Sequence, residues 1–303
     1  MLAEGRSPCP FCLDCEDSAM PTRPAAVAGS WYPGTAGALT RDVDRYLQDA
    51  PDWTGGPIRA VIAPHAGLMF SGPVGAHAYK AASAGRFDVV VLAGPSHYVS
   101  FDGVSIYPDG AFATPLGDAE IDATLAQALM ASPAIRPLPA AHQREHSLEM
   151  QLPFVRRLFP AARIVPLVMG LQTRETIAAL AAALAQVCTS ERILLVASTD
   201  LSHYFDARTA QELDGRVARH VAAFDADGLL ETFEHYPEHE RGRFVACGGG
   251  PAIAVMMAAR SLGATDARVL KYAHSGDISG DLDGVVGYLA AAFGNFPGAA
   301  EGH

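Results

Sequence analysis

Short apolar runs alternate with amphipathic segments along most of the chain, and this alternation limits the possible folds more than any other feature. Each run is rich in Leu or β-branched residues and ends at polar residues, Gly or Pro. A strand that is buried on both faces needs such continuous apolar character. The pattern predicts strands at residues 59–63, 88–92, 164–168, 193–197, 268–272 and 284–289.

Segments with helical spacing of apolar residues fill the gaps between these runs. Pro251 suits the first turn of one such segment and Gly263 suits its C-terminal cap, whereas Pro153 should kink its helix or mark its true start. The predicted helices are residues 38–47, 118–130, 145–159, 173–187, 209–224 and 251–262. Because strands and helices alternate without a long linker, we expect one α/β domain over residues 20–303. Its central sheet should be mainly parallel, with helices on both faces.

Composition narrows the function classes. The chain has 303 residues with 22 basic and 33 acidic side chains, a formal net charge of -11. Such a charge repels phosphate backbones, so we expect no nucleic-acid partner. The longest strongly apolar stretch, residues 176–187, is too short to span a bilayer, and no secretory signal is visible. We therefore expect no membrane partner and a cytoplasmic location.

Five cysteines, an odd number, argue against a disulfide framework. Three of them form a cluster near the start of the chain: Cys9, Cys12 and Cys15. Their spacing begins like a ferredoxin iron–sulfur run, but the fourth position holds Ala19. The cluster could hold zinc with a distant fourth ligand or an incomplete iron–sulfur cluster. The alternative is that residues 1–19 form a disordered tail and that Met20 is the true start.

Histidines follow four of the predicted strands within a few residues. They are His65, His97, His203 and His274. Open α/β sheets bind ligands in the crevice beyond the carboxyl ends of their strands. A single histidine at such a place is usually a hydrogen-bonded structural residue or an exposed one. The recurrence after four separate strands instead favours a shared site, provided that the strands are neighbours.

Cys247 lies between the apolar residues 244–246 and a glycine-rich turn that precedes a predicted helix. The glycines allow a sharp turn and a close approach to a ligand. A thiol just before a helix N-terminus experiences the positive end of the helix dipole, which favours the thiolate. Cys247 could therefore be a metal ligand or a nucleophile. The alternative is a buried inert thiol, as expected for Cys188.

A second candidate pair is His146 and Glu149, which lie three residues apart and would share a face of the predicted helix 145–159. They could supply two metal ligands or orient other groups in the site. The alternative is an exposed helical turn.

Several motifs together resemble the signature blocks of the Memo family, which is also called AmmeMemoRadiSam system protein B. The blocks appear in family order over about residues 25–292, and several motifs in register are far more specific than one. They are Gly29-Ser30-Trp31-Tyr32, Ile62-Ala63-Pro64-His65-Ala66-Gly67, Gly94-Pro95-Ser96-His97, Glu145-His146-Ser147-Leu148-Glu149-Met150, Ser198-Thr199-Asp200 with His203, and Cys247-Gly248.

The resemblance implies a fold related to class III extradiol dioxygenases, which hold Fe(II) with two histidines and a carboxylate. In Memo-like proteins a cysteine takes the carboxylate position. Carried over by motif, the metal ligands would be His65, His97 and Cys247, with Asp200 and His203 beside the metal as acid/base groups. His146, Glu149 and His274 would form a surrounding layer. A His, His, Cys set suits iron, copper or zinc, and it puts ring cleavage in doubt.

Three functions are compatible with these residues. The first is a metal-dependent redox enzyme or oxygenase that acts on a small molecule. The second is a metal-binding or peptide-docking adaptor without turnover, and the third is a hydrolase that uses metal-activated water. The resemblance also implies a radical-SAM protein and an AMMECR-type protein as partners.

Overall fold

The computed structural model describes residues 21–296, which form one central sheet of nine strands and a separate two-stranded sheet. The strands are β1 (Ile58–Ala63), β2 (Val89–Pro95), β3 (Val104–Ile106), β4 (Ala111–Phe112), β5 (Ala119–Glu120), β6 (Ile135–Pro137), β7 (Arg163–Met169), β8 (Ile193–Ser198), β9 (His203–Phe205), β10 (Asp266–His274) and β11 (Val285–Gly294). The helices are α1 (Ala36–Asp49), α2 (Leu68–Ala82), α3 (Ala123–Leu129), α4 (Pro139–Gln143), α5 (Leu152–Leu158), α6 (Arg174–Val187), α7 (Ala207–Ala222), α8 (Ala226–Glu234), α9 (Glu238–Phe244), α10 (Gly249–Ser261) and α11 (Gly276–Ser279).

The central sheet is mixed but mostly parallel at its centre. Eight of its strands follow the order β10-β11-β1-β8-β2-β7-β3-β6, and the ninth, β9, pairs with β11. The four inner strands β1, β8, β2 and β7 run parallel, whereas β11 pairs antiparallel with both β1 and β10. Every residue of β2 and β8 is buried, as continuous apolar runs require. The predicted α/β fold, and all six predicted strands, are confirmed.

Helices cover the sheet in two groups. In one group α1 packs against α2, which lies on β1 and β11; in the other, α10 packs against α6 and α8 and lies on β8 and β2. Sequence patterning did not predict α2. Its residues are buried on nearly every side, so it lacks the polar face by which an amphipathic helix is found.

Two predicted helices are wrong at their starts. The segment predicted as a helix over residues 145–159 begins as a loop, passes through a 3-10 turn at Glu149–Gln151, and becomes helical only in α5. Pro153 lies in the first turn of α5, where no backbone N–H is needed. The segment predicted as a helix over residues 118–130 starts at Ala123, because the Asp122 side chain caps the N–H of Leu125.

Two further expectations concern the N-terminal cysteine cluster and a membrane-spanning helix. The cysteine cluster and the predicted tail over residues 1–19 lie outside the described residues. Within residues 21–296, no single helix is long and apolar enough to cross a bilayer. Only α9 and α10 together reach that length, and they bend by 79° at the break between them.

Glu149 fastens the start of the described chain to the loop before α5. Its fully buried carboxylate accepts hydrogen bonds from Arg23 (2.6 Å), from the backbone N–H groups of Ala26 and Val27, and from the Tyr32 hydroxyl. The carboxylate was expected beside the histidines. It instead neutralises a buried guanidinium, and its hydrogen bonds hold residues 26–32 against the body of the protein.

We expect Glu149→Gln to lower the free energy of unfolding by about 3 kcal/mol, because the buried charge of Arg23 loses its partner. Urea denaturation measures the change. The matched control is Glu212→Gln, which breaks an exposed ion pair with Arg208 and should cost less than about 1 kcal/mol. Equal losses in the two variants would contradict this role of Glu149.

Candidate metal centre

The carboxyl ends of three adjacent parallel strands carry polar side chains into one cleft. His65 follows β1, Asp200 follows β8 and His97 follows β2, and these strands are neighbours in the order β1-β8-β2. The loop before α5 adds His146, and the turn between α9 and α10 adds Cys247. The cleft has a volume of about 460 Å³, and all five of these side chains line it.

A hydrogen-bond chain sets the tautomer of His65. The Ser198 hydroxyl donates its single hydrogen to the carbonyl of Ser147 (2.6 Å) and accepts one from Gln151 Nε2 (2.7 Å). It can therefore only accept from His65 Nδ1, which lies 2.9 Å away. Nδ1 is thus the nitrogen that carries the proton when the ring is neutral, and Nε2, at 3.1 Å from Cys247 Sγ, is the nitrogen available to a metal.

Glu145 orients His97 as Ser198 orients His65, by accepting a hydrogen bond from Nδ1. Its carboxylate accepts hydrogen bonds from His97 Nδ1 (2.8 Å) and from the backbone N–H groups of His97 and Ser147. Burial alone would raise the pKa of Glu145, but the bonds to His97 outweigh it and lower that pKa to about 2. A carboxylate on Nδ1 orients an imidazole and makes Nε2 a better ligand.

Glu145 was missed in the sequence because helical spacing favoured Glu149. In the structure these residues precede α5, so the spacing of three carries no information about a common face. The available signals were that Glu145 stands directly beside His146 and that it begins one of the family-like motifs.

His146 brings a third imidazole to the centre. One ring nitrogen from each of His65, His97 and His146 lies within 4.8 Å of the others. The ring of His146 stacks on that of His97 at 4.4 Å and also contacts Trp31 at 4.3 Å. Burial and the nearby charges of His65 and His97 lower the pKa of His146 to about 3, so its ring is neutral at pH 7.

Cys247 completes the cluster as a thiolate. Burial opposes its ionisation, but the charge of His65 and hydrogen bonds from His65 and His97 outweigh that effect and lower its pKa to about 6. The backbone N–H of Asp200 also donates to Sγ at 3.3 Å. Burial opposes a charge on His97, but its hydrogen bonds to Cys247 and Glu145 outweigh burial and raise its pKa to about 10, so the metal-free site contains a thiolate–imidazolium pair.

Gly248 allows the turn that carries Cys247 to pack against the end of β8. A Cβ atom at this position would lie 2.4 Å from the carbonyl oxygen of Ser198 and 2.9 Å from Thr199 Cβ. The backbone N–H of Gly248 also donates to the Thr199 hydroxyl. Only glycine fits here, which explains the glycine-rich turn seen in the sequence.

Asp200 and His203 line the same cleft as the thiolate. Asp200 Oδ1 accepts from the backbone N–H groups of His65 (2.7 Å) and Ala66, and burial raises its pKa. His203 Nδ1 donates to the carbonyl of Leu201 at 2.7 Å. His203 Nε2 is therefore free to accept or return a proton within the cleft.

His274 does not join this cluster. It ends β10, which is separated from β1 by β11, and its Nε2 faces Gln211 at 3.5 Å. The backbone N–H of His274 donates to Asp277. Of the sequence-predicted site residues, the structure thus brings together His65, His97, His146, Asp200, His203 and Cys247, and places Glu149 and His274 elsewhere.

The donor atoms fit a metal ion. Ligands that lie about 2.0–2.3 Å from one ion must lie roughly 3–4 Å from each other. The 3.1 Å separation of His65 Nε2 and Cys247 Sγ satisfies this, and one nitrogen from each of the three imidazoles lies within 4.8 Å of the others. A second possible group, formed by His65, Cys247 and Asp200, shares only His65 with the first. The predicted ligands His65, His97 and Cys247 are therefore divided between two overlapping groups that meet at His65.

Comparison with known proteins agrees with these motifs. Residues 23–292 match the family model described as Memo-like protein. A MEMO1 family protein of Methanopyrus kandleri is 37% identical over 284 residues, which cover 89% of this chain and 98% of that protein. The chain belongs to the Memo-like family. A MEMO1 family protein of Methanothermobacter thermautotrophicus is 38% identical over 281 residues, 88% of this chain and 98% of its own length. Membership in the Memo-like family confirms the resemblance seen in the motifs.

We expect Cys247 in metal-free protein to react with iodoacetamide with a midpoint near pH 6, because only the thiolate reacts and the pKa is lowered to about 6. The rate should fall as the pH drops through that value. Peptide mass spectrometry separates Cys247 from Cys188, whose pKa burial raises to about 12 and which should not react. A Cys247 midpoint above pH 8 would contradict the assignment.

Glu145→Gln should weaken metal binding by about 10–100-fold, because the carboxylate that orients His97 is lost. Competition with a chelator of known affinity measures the change. Glu191→Gln, at an exposed position at the opposite end of the sheet, should bind metal like the wild type.

Proposed function

We propose that this chain is a metal-dependent redox enzyme of the oxygenase class that acts on a small molecule in the cleft. The observation that carries the proposal is the convergence of two oriented imidazoles, His65 and His97, on the thiolate of Cys247. Both imidazoles donate through Nδ1 to fixed partners, so both present Nε2 to one point. A redox metal held there would supply electron transfer and oxygen activation.

Iron or copper is the metal that this donor set favours, and zinc also fits it. Imidazole suits all three ions, and a thiolate adds a soft donor that shifts selectivity away from magnesium or calcium. His65, His97 and Cys247 would hold the ion.

His203 and Asp200 are the proposed acid/base groups. His203 can move a proton at Nε2, because its Nδ1 is committed to the Leu201 carbonyl. Asp200 keeps the loop of His65 in place through two backbone N–H groups, and burial raises its pKa above the ordinary value of an aspartate. Trp31 and Tyr204 border the cleft and would limit the access of water.

One observation favours a second function, a metal-binding or peptide-docking protein without turnover. The nitrogen donors of His65, His97 and His146 lie within 4.8 Å of one another, and Cys247 Sγ lies 3.1 Å from His65 Nε2. An ion bound by all four would have a closed site, which is typical of structural rather than catalytic metals. The two functions differ at His146. In the enzyme His146 leaves a position open for substrate, whereas in the binding protein it is a permanent ligand.

The proposal also covers the cellular location and the protein partners of this chain. We propose a cytoplasmic location and association with a radical-SAM protein and an AMMECR-type protein, both implied by the family motifs. Co-purification of tagged chain from its native cells tests the two partners.

The test of the site is elemental analysis of protein purified without added metal. His65→Ala and Cys247→Ser should each lose the same metal, whereas the exposed control His239→Ala should keep it. Retention of full metal by both site variants would refute the shared centre.

The test of the activity is oxygen uptake by iron- or copper-loaded protein with catechol-type or thiol substrates. Uptake should disappear in His65→Ala and persist in His239→Ala. Binding of zinc alone with no oxygen uptake would refute the oxygenase. His146→Ala distinguishes the two functions, since it should preserve turnover in an enzyme with an open position but release metal from a closed four-ligand site.

A further inference from the structure

Arg243 borders the metal cleft from α9, four residues before Cys247. Its guanidinium carbon lies 4.8 Å from the ring centre of Phe205 and 5.7 Å from that of Phe244. Contacts with two aromatic rings restrict the side chain and leave the edge of the guanidinium, where its N–H groups lie, unobstructed.

Within residues 21–296, the guanidinium of Arg243 has neither a hydrogen-bond acceptor nor a carboxylate partner. Its neighbour Arg241 differs, since it donates to the carbonyls of Tyr236 and Gln172. The two carboxylates closest to the centre are already engaged, Asp200 by backbone N–H groups and Glu145 by His97. In a protein with a net charge of -11, an uncompensated arginine beside the site is a local exception that attracts an anion.

Two exposed aromatic rings line the same cleft. Trp31 is 37% exposed and Tyr204 is 69% exposed. Single exposed aromatic residues are common, but exposed apolar surface that is grouped at a cleft is typical of a ligand-binding site. The flat face of Trp31 and the space of about 460 Å³ suit a small planar molecule.

The backbone of Tyr204 is strained. It has a φ of +63°, in the left-handed region that residues with a Cβ atom rarely adopt. The cause is a β-bulge, because His203 pairs with Val286 and Phe205 pairs with Val285, which leaves Tyr204 as the extra residue. The bulge exposes the ring of Tyr204 at the cleft beside His203, and strain of this kind concentrates at functional sites.

We propose that Arg243 binds the carboxylate of a small aromatic acid whose ring lies against Trp31. Two parallel N–H donors of a guanidinium match the two oxygens of a carboxylate, and one unpaired cation matches one negative charge. This inference rests on the proposed function, since it takes the cleft above the metal as the substrate site. It names the substrate class as aromatic carboxylates.

The experiment measures binding to metal-free protein, so that it does not depend on metal loading or turnover. The chain has two tryptophans, and Trp53 packs against Phe296 away from the cleft. In a Trp53→Phe background, Trp31 is the single fluorescent reporter. The probes are benzoate and benzamide, which differ mainly in charge.

We expect benzoate to quench Trp31 and to bind at least about tenfold more tightly than benzamide, a preference typical of a charge-assisted bidentate contact. Arg243→Gln should abolish the preference by weakening benzoate alone. The matched control Arg86→Gln removes an exposed arginine at the opposite end of the sheet and should leave the preference intact.

Equal binding of the two probes by the wild type, or a preference that survives in Arg243→Gln, would overturn the inference. Thermal melting of each variant checks that it is folded, and the exposed position of Arg243 predicts an unchanged melting temperature. Failure here with intact metal loading would refute only the substrate class. Wild-type protein that binds no metal but still prefers benzoate would refute the proposed function and leave the aromatic-acid site intact.

Discussion

The hydroxyl group of Ser198 is the interaction on which the metal centre depends. It lies at the last residue of β8, beside Ala63 of β1, and bonds to His65, Gln151 and Ser147. One side chain thereby joins two parallel strands to the loop before α5. Because its single proton is committed to Ser147, it also determines which nitrogen of His65 is available for a metal.

Two buried carboxylates that lie four residues apart hold the rest of the cleft in place. Glu145 orients His97 inside the centre, whereas Glu149 neutralises Arg23 and secures the segment that carries Trp31. A buried carboxylate is costly without partners, and each of these has several. The loop before α5 thus orients the imidazole of His97 through Glu145 and secures the segment that carries Trp31 through Glu149. Metal binding must displace the proton that the thiolate of Cys247 stabilises on His97, so affinity should fall as the pH is lowered.

The sequence predicted the strands and the strand-end residues His65, His97 and Asp200 well, because buried parallel strands leave a direct apolar signature. It placed His274 with the other strand-end histidines, because strand order is not visible in a linear pattern, whereas β11 lies between β10 and β1. Glu149 was assigned to the site and Glu145 was missed, because helical spacing was assumed where the chain is a loop. Arg243 belongs to no motif, and only its position between two aromatic rings at the cleft distinguishes it from other arginines.

The central claim is that His65, His97 and Cys247 bind one metal ion, with the thiolate as a direct ligand. X-ray absorption spectroscopy of the zinc-loaded protein tests it most directly. The structure predicts one sulfur at about 2.3 Å and nitrogen neighbours at about 2.0–2.1 Å, with the sulfur absent in Cys247→Ser. A zinc environment without sulfur in the wild-type protein, or a sulfur that persists in Cys247→Ser, would contradict the claim.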